Sequence, residues 1–230
     1  MIRFAVLASL VLMLLAPARA SAAPPVLNSV QVKDRHPSAT FAAPRADDAT
    51  IYFSTKPDRA SDGSFLSENV KYLDLLTDSE IQSGQWLGED QLDPGTYYVL
   101  LRASADFTAC YSLDLGALDP TCADGYSNML TLTVPKPATR YVGTVTPSIS
   151  IGVASLRLTA TPLGEKVPYR VCYRLRAGAK RCLSGTLDGY DWDSSCSDTL
   201  TVSTRGLPAL ASFTWYVNGK VVASRRIRVR

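Results

Sequence analysis

The single histidine, His36, limits the catalytic chemistry that this sequence can support. A Ser-His-Asp or Cys-His site would have only this side chain as its general base. Cysteine and histidine ligands at zinc-binding spacing do not occur, and neither does a phosphate-binding loop, a dinucleotide fingerprint or a nucleophile elbow. These observations predict a protein that binds without catalysis and without a cofactor.

A group of aspartates near residue 190 offers the one concentration of carboxylates that could do chemistry. Ca²⁺ takes several oxygen ligands, and carboxylates two positions apart on a loop can supply them. The segment lacks the glycine and the terminal glutamate of an EF-hand loop, so a solvated turn is favoured over a calcium site. A glycosidase acid and base pair is a further alternative, which would make the protein an extracellular hydrolase. The aspartates are Asp188, Asp191, Asp193 and Asp198.

Five cysteines would, in an exported chain, predict two disulfides and one free thiol. Cys110 and Cys122 flank a segment without a strand pattern, which a bridge between them would close. Cys172 and Cys182 come opposite each other if a hairpin turn lies midway between them, and Cys196 is then free. The alternative is a bridge from Cys182 to Cys196.

Basic residues are concentrated in the last part of the chain. Residues 141–230 contain 13 basic and five acidic residues, a net charge of +8, whereas residues 23–140 contain nine and 16, a net charge of −7. This asymmetry indicates two units with different surfaces, and a cationic surface outside the cell suits an extracellular protein or an anionic cell-envelope polymer better than nucleic acid. A solvated outer face is the favoured interpretation of these charges. If the surface binds a ligand, the candidate ligand-binding residues are Arg170, Arg174, Arg176, Arg226 and Arg228, with the aromatic residues Tyr190 and Trp192.

The first 22 residues predict that the chain is exported. Arg3 precedes an apolar run of twelve residues, Phe4–Leu15, and small residues up to Ala22 then fit a signal-peptide cleavage site. The run is shorter than the roughly 20 residues that span a membrane, and no second apolar segment of spanning length follows. We therefore expect a cleaved signal peptide, residues 1–22, no transmembrane segment, and a location that is extracellular or on the cell envelope.

The rest of the chain has the pattern of an all-β protein. Hydrophobic residues make up 46% and charged residues 20% of the sequence, so a packed core is expected and disorder is not. Short alternating runs are separated by Pro, Gly, Asp and Ser clusters, which is typical of β-sandwiches. Two prolines, Pro135 and Pro137, mark the boundary. The predicted domains are residues 23–135 and 141–230, joined by a proline-rich linker, residues 136–140.

The first domain resembles a fibronectin type III domain. The segment Leu92–Val99, LDPGTYYV, looks like the turn that leads into strand F of that fold, and Ser127–Val134 looks like its strand G. The resemblance implies a structural tyrosine-corner hydrogen bond from Tyr97 or Tyr98. Trp86 is the candidate to fill the core. The second domain resembles a bacterial immunoglobulin-like sandwich, so the predicted architecture is two tandem β-sandwiches.

The sequence of the last hairpin is compatible with two arrangements of its strands. Asn218-Gly219 predicts a two-residue turn, and strict alternation from that turn would place Trp215 outside among arginines as a cation–π surface. A β-bulge near Ser224 or Arg225 would instead bury Trp215. We favour the bulge, because burying large apolar side chains stabilises more than an interrupted ladder costs.

These observations together predict a secreted or cell-surface protein that binds or adheres without catalysis. Fold analogy carries much of this expectation. The alternative is a carbohydrate- or cell-wall-polymer-binding module in which Tyr190, Trp192 and Trp215 stack on sugars from one flat face.

Overall fold

The chain forms two compact units built almost wholly of antiparallel strands. The computed structural model describes residues 22–105, 110–112, 117–119, 121–148 and 152–229. The first unit ends at Pro135 and the second begins at Lys136. Each unit is a β-sandwich, as the sequence predicts. The predicted signal peptide lies outside the described residues apart from Ala22, and among the described residues no helix is long and apolar enough to cross a membrane.

The first unit packs a three-stranded sheet, in the order β1-β2-β5, against a larger sheet in the order β10-β6-β3-β4. A short strand, β9, extends the larger sheet beside β6, and β7 pairs with β8 in a separate ribbon. The elements are β1 (Val26–Lys33), β2 (His36–Ala42), β3 (Ala46–Ser54), β4 (Val70–Leu75), α1 (Asp78–Ser83), β5 (Gln85–Leu87), β6 (Gly95–Ala105), β7 (Tyr111–Ser112), β8 (Ala117–Leu118), β9 (Gly125–Tyr126) and β10 (Leu130–Val134).

The core of the first unit follows the alternation of its strands. On β6 the inward residues, from Tyr97 to Ala103, are all at most 3% exposed. Trp86 is buried in this core as predicted; its ring lies 5.6 Å from that of Phe53, and its Nε1–H donates to an Asp74 carboxylate oxygen at 2.9 Å. The indole thus buries its apolar area while its polar atom keeps a partner.

Two local motifs are present in the first unit, and the first of them is predicted above from the sequence. The Tyr97 hydroxyl donates to the Asp93 carbonyl at 2.9 Å, which is the tyrosine-corner hydrogen bond. Helix α1 begins with a capping box, in which the Glu80 N–H donates to the Thr77 hydroxyl and the Thr77 N–H donates to the Glu80 carboxylate. The helix ends at Gly84, whose φ of +65° places it in the left-handed region that favours glycine.

The outer face of the larger sheet in the first unit is partly covered by the chain itself. Leu100 points away from the main core but is fully buried. The connection between β3 and β4 reaches this face, because a Cβ at Gly63 would be 3.4 Å from the ring of Tyr126, which lies opposite Arg102 at an outward position of β6. Part of the connection therefore lies over this face.

The second unit has the same strand order as the first, although the sequence shows no repeat. Counting the seven main strands of each unit from one, both units pair 1-2-5 in one sheet and 4-3-6-7 in the other. Arg140, which the sequence predicts to lie in the linker, is the first residue of a strand, and Lys136 forms an ion pair with Glu165. The strands are β11 (Arg140–Ser148), β12 (Val153–Thr161), β13 (Lys166–Arg174), β14 (Lys180–Asp188), β15 (Cys196–Ser203), β16 (Leu210–Val217) and β17 (Lys220–Arg228).

Trp215 lies in the core of the second unit and is fully buried, as the favoured arrangement predicts. The bulge that allows this is on β17 but earlier than predicted: Trp215 faces Ala223 while Tyr216 faces Val221, so Val222 is the extra residue. The position of the bulge has a physical cause. Val222 is partly buried beside the core, so a bulge there restores the inward alternation directly after the turn.

The first and last strands of each unit meet at the border between its two sheets. In the first unit the Leu27 N–H donates to the Asn128 side-chain oxygen, and the Asn128 side-chain N–H donates to the Leu27 carbonyl, both at 2.9 Å. In the second unit the Arg225 Nε–H donates to the Gly143 carbonyl at 3.0 Å. Arg225 therefore serves the closure of the sandwich.

Candidate functional site

The outer face of the four-stranded sheet in the second unit collects most of the predicted arginines. Side chains alternate between the two faces of a strand. Val171, Phe213 and Trp215 are buried, so the residues next to them in the sequence of each strand point outward. We call this surface the cationic face. Its charged residues are Arg170, Arg174, Lys180, Arg226 and Arg228, and its other central residues are Cys172, Cys182, Ser212, Thr214 and Tyr216.

Three of the cations come from three different strands at the same end of the sheet. Arg174 on β13 lies directly opposite Lys180 on the edge strand β14. Arg226 on β17 lies opposite Ser212, and its Nε–H donates to the Ser212 hydroxyl at 3.2 Å. The cations thus form a row across the strands, with Arg228 beside it at the next outward position of β17.

Two basic residues of the same stretch lie elsewhere. Arg176, a predicted ligand residue, follows the end of β13, and its guanidinium donates to the Leu207 carbonyl at 3.4 Å. Arg181 lies opposite Tyr173, on the side of the sheet that faces the core. The structure therefore brings together four of the five predicted arginines and adds Lys180.

The cationic face carries little negative charge. Among the described residues, no carboxylate forms an ion pair with any of its five cations. The one acidic residue at an outward position of these strands, Asp188, pairs with Lys166 at 3.6 Å at the far end of β13 and β14. The like charges on the face repel each other, so an anion bound there lowers the electrostatic free energy.

Tyr216 lies near the centre of this surface, between two shallow depressions of about 470 Å³ each. The Arg170 guanidinium lies 5.7 Å from the centre of the Tyr216 ring, and the Lys180 ammonium lies 5.8 Å from it. Both distances fall within the range of cation–π attraction. Tyr216 was not predicted as a site residue, although its outward direction follows from the alternation with Trp215.

A disulfide lies on the same face of the sheet. Cys172 and Cys182 face each other on β13 and β14 with their Cα atoms 4.0 Å apart, and Val171 faces Leu183, as the predicted register requires. The bond joins the strand that carries Arg170 and Arg174 to the strand that carries Lys180. It therefore fixes the relative position of the cations on two strands.

The other cysteines lie away from this face. Cys110 and Cys122 form the second disulfide, in the first unit. Among the described residues Cys196 is the free cysteine, and it lies on β15 in the other sheet, opposite Ala160. Partial burial, together with the charge of Asp188, raises the pKa of the Cys196 thiol. Because Cys182 is bonded to Cys172, the alternative bridge from Cys182 to Cys196 is absent.

The predicted aromatic residues do not form a sugar-stacking platform. Trp215 is in the core. Trp192 packs over Gly164, where an added Cβ would lie 2.5 Å from its ring, and the Lys136 ammonium lies 5.0 Å from the ring centre. Tyr190 is 87% exposed and follows the end of β14. A flat row of exposed aromatics, which the carbohydrate alternative needs, is therefore not found among these three residues.

The predicted aspartate group is engaged in local contacts. Asp198 accepts hydrogen bonds from the Tyr169 hydroxyl at 3.1 Å and from the Thr186 N–H at 3.2 Å. Burial, with the Asp198 charge, raises the pKa of Tyr169. Asp191 accepts a hydrogen bond from the Asp193 N–H at 3.0 Å. Across the described part of the chain, no group of three or more His, Cys, Asp or Glu side chains could hold a metal ion.

Comparison with known proteins gives a likeness to solved structures alone. No protein family and no curated protein matches the chain. The chain is similar to the crystal structure of a tetra-tandem repeat in the extending region of a large adhesion protein, with 18% identity and a TM-score of 0.48 over 90% of this chain and 49% of that one. It is also similar to the FN1–FN3 domains of chicken CNTN1, with 12% identity and a TM-score of 0.28 over 91% of this chain and 66% of that one. The chain thus spans about half the length of the first structure.

Proposed function

We propose that this protein is an exported, non-enzymatic binding protein that holds an anionic partner on the cationic face of its second unit. The observation that carries the proposal is the row of cations from neighbouring strands that no described carboxylate neutralises. Lys166, at the far end of the same strands, is by contrast paired with Asp188. Charges left unpaired on one face raise the local concentration of an oppositely charged partner.

The scaffold suits binding because the cations stand on strands rather than on loops. Arg170, Arg174, Lys180 and Arg226 all lie within β-strands of one hydrogen-bonded sheet, and the Cys172–Cys182 disulfide crosses two of those strands. Side chains on regular elements are positioned better than side chains on loops. A partner therefore meets a charge pattern that needs little ordering when it binds.

We propose an anionic cell-envelope polymer as the partner, with an acidic extracellular protein as the alternative. The row of cations crosses four strands, which at a spacing of about 4.8 Å extends over about 14 Å. An elongated polymer that repeats its charge can follow such a row. Export, with cleavage near Ala22, belongs to the same proposal, and the two disulfides support it because disulfides persist in oxidising compartments.

A binding assay with charge-reversed variants tests the proposal. Residues 23–230 would be titrated with polygalacturonate, which is anionic, and with dextran, which is neutral, by isothermal calorimetry at two salt concentrations. We expect polygalacturonate to bind and dextran not to bind, with weaker binding at higher salt because ions screen exposed charges. The variant Arg174→Glu with Arg226→Glu should lose binding.

The matched control is Arg140→Glu with Arg157→Glu, which reverses two exposed arginines on β11 and β12 of the other sheet and so changes the net charge by the same amount. This variant should bind polygalacturonate like the wild type. Equal loss in the control and in the double variant would show that only the net charge of the chain matters. No binding of polygalacturonate or poly-L-glutamate by the wild type would refute the proposed function.

A further inference from the structure

We infer that Tyr216 organises a two-cation subsite for the acidic groups of a linear acidic polysaccharide, an inference that rests on the proposed function. Arg170 and Lys180 belong to different strands, yet both place their charged groups within 6 Å of the centre of the same ring. Long cationic side chains on a surface normally extend into water independently. Here one aromatic ring brings two of them together.

The register of three strands produces this arrangement. Arg170 on β13 lies directly opposite Tyr216 on β16, so their contact is a cross-strand pair. Lys180 starts from β14, two positions before Cys182, and its side chain reaches the ring beside the disulfide. The Cys172–Cys182 bond holds β13 and β14 in this register and thereby holds the starting points of both cations.

The convergence of the two cations specifies the chemistry of the ligand. The two like charges beside the ring repel each other, and oxyanions bound at them lower that cost. The Arg170 guanidinium can give two parallel hydrogen bonds to a carboxylate or a phosphate, and the Lys180 ammonium adds a compact charge. The subsite therefore fits carboxylate or phosphate groups.

The two depressions beside Tyr216 specify how the rest of the ligand lies. One depression is lined by Arg174, Ser212 and Thr214, and the other by Ser184 and Thr186 with residues of the last hairpin turn. Hydroxyls on both sides of the subsite can hydrogen-bond the sugar units that precede and follow an acidic unit. A flat membrane would not enter these depressions, and so we assign the surface to a polysaccharide chain.

A comparison of two substitutions at one position tests the role of Tyr216. Tyr216→Phe keeps the aromatic ring, and Tyr216→Leu removes it while keeping an apolar side chain of moderate size. We expect Tyr216→Phe to bind polygalacturonate within about twofold of the wild type. Tyr216→Leu should bind several-fold more weakly, and at most about 30-fold, because two cation–π contacts of roughly 0.5–1 kcal/mol each no longer hold the cations in position before the ligand binds.

A double-mutant cycle separates this role from a general loss of structure. If the ring acts by positioning Lys180, the effects of Tyr216→Leu and Lys180→Ala on affinity should be less than additive. The effects of Tyr216→Leu and Arg228→Ala on affinity should instead be additive, because Arg228 does not contact the ring. Thermal unfolding by circular dichroism checks that each variant is folded.

The outcomes separate this inference from the proposed function. Wild-type protein that binds none of the anionic polymers refutes both. Wild-type binding that Tyr216→Leu leaves unchanged refutes the subsite and leaves the proposed function standing. Tighter binding of poly-L-glutamate than of any acidic polysaccharide overturns the ligand class in favour of an acidic protein. Parallel titrations with polygalacturonate and with yeast phosphomannan show whether the acidic group is a carboxylate or a phosphate, and either result supports the subsite.

Discussion

Replacing Trp215 tests whether the last hairpin is arranged as described. The Trp215 side chain is fully buried in the core of the second unit. Truncating a buried tryptophan or phenylalanine to alanine costs about 3–5 kcal/mol. Trp215→Ala should therefore lower the free energy of unfolding of the second unit by about that amount. This is a large fraction of the roughly 5–15 kcal/mol that stabilises a typical domain.

The indole nitrogen refines this prediction. Among the described residues, the buried Trp215 Nε1–H has no hydrogen-bond partner, and leaving such a donor buried and unpaired costs about 1–3 kcal/mol. Trp215→Phe removes that cost while it keeps most of the apolar area. We therefore expect Trp215→Phe to destabilise the second unit by less than about 2 kcal/mol, well below the effect of Trp215→Ala.

Gly143 on β11 supplies an independent check of the same packing. A Cβ at Gly143 would lie 2.7 Å from the Trp215 ring and 3.0 Å from the Ala223 Cβ, so Gly143→Ala overpacks the core at a cost of about 1–3 kcal/mol. The cost should be smaller in the Trp215→Phe background, because the ring atoms that the new methyl group meets are changed. Thr144→Ala, at an exposed position of the same strand, is the control and should change stability by at most about 0.5 kcal/mol.

Urea unfolding followed by two-dimensional NMR measures these effects, because it reads the amide signals of each unit separately. The midpoint of the first unit should stay unchanged in all these variants. If Trp215→Ala unfolds at the wild-type urea concentration, the side chain is not in the core. Loss of polygalacturonate binding in that stable variant would establish the exposed arrangement, with Trp215 among the arginines.

Three further variants test other parts of the structure. Tyr97→Phe removes the hydrogen bond to the Asp93 carbonyl and should lower the stability of the first unit by about 1 kcal/mol in urea unfolding; an unchanged midpoint would contradict a stabilising tyrosine corner. Replacing Cys172 and Cys182 together by serine should cost the second unit about 3 kcal/mol, from the chain entropy of the ten-residue separation, and wild-type stability would contradict this reasoning. Burial raises the pKa of Tyr72 to about 12 from an ordinary value of 10.0, so the unfolded chain releases this proton first and stability falls as pH rises from about 10 towards 12. Tyr72→Phe should reduce that fall, which urea midpoints at pH 9 and pH 11 would measure, and an equal fall in both proteins would refute the assignment.

Much of the fold could be predicted because its determinants are local. The alternation of β6, the capping box at Thr77 and the turn at Asn218-Gly219 are each decided by residues within a few positions of one another. The register of Cys172 with Cys182 follows from one short hairpin, in which apolar residues and cysteines must each meet a suitable partner. Local patterns of this kind are set by side-chain alternation and turn geometry.

The remaining features depend on contacts between distant segments. Trp192 is positioned by Gly164 and Lys136, which are 28 and 56 residues away in the sequence. Lys180 and Tyr216 meet only because β14, β13 and β16 are neighbours in one sheet, an order that alternation within single strands does not specify. The outward direction of Tyr216 could be read from the sequence, but its two cationic neighbours could not.

The bulge at Val222 connects the core of the second unit to its cationic face. Without the extra residue, strict pairing from the turn would leave Trp215 on the same side of the sheet as Arg226 and Arg228. With it, Trp215 faces Ala223 inside, and Arg226 faces Ser212 outside. One inserted residue thus buries the largest core side chain and exposes the arginines of the last strand. A deletion of Val222 would therefore disturb the core and the cationic face together, because a shift of one position exchanges the two sides of a strand.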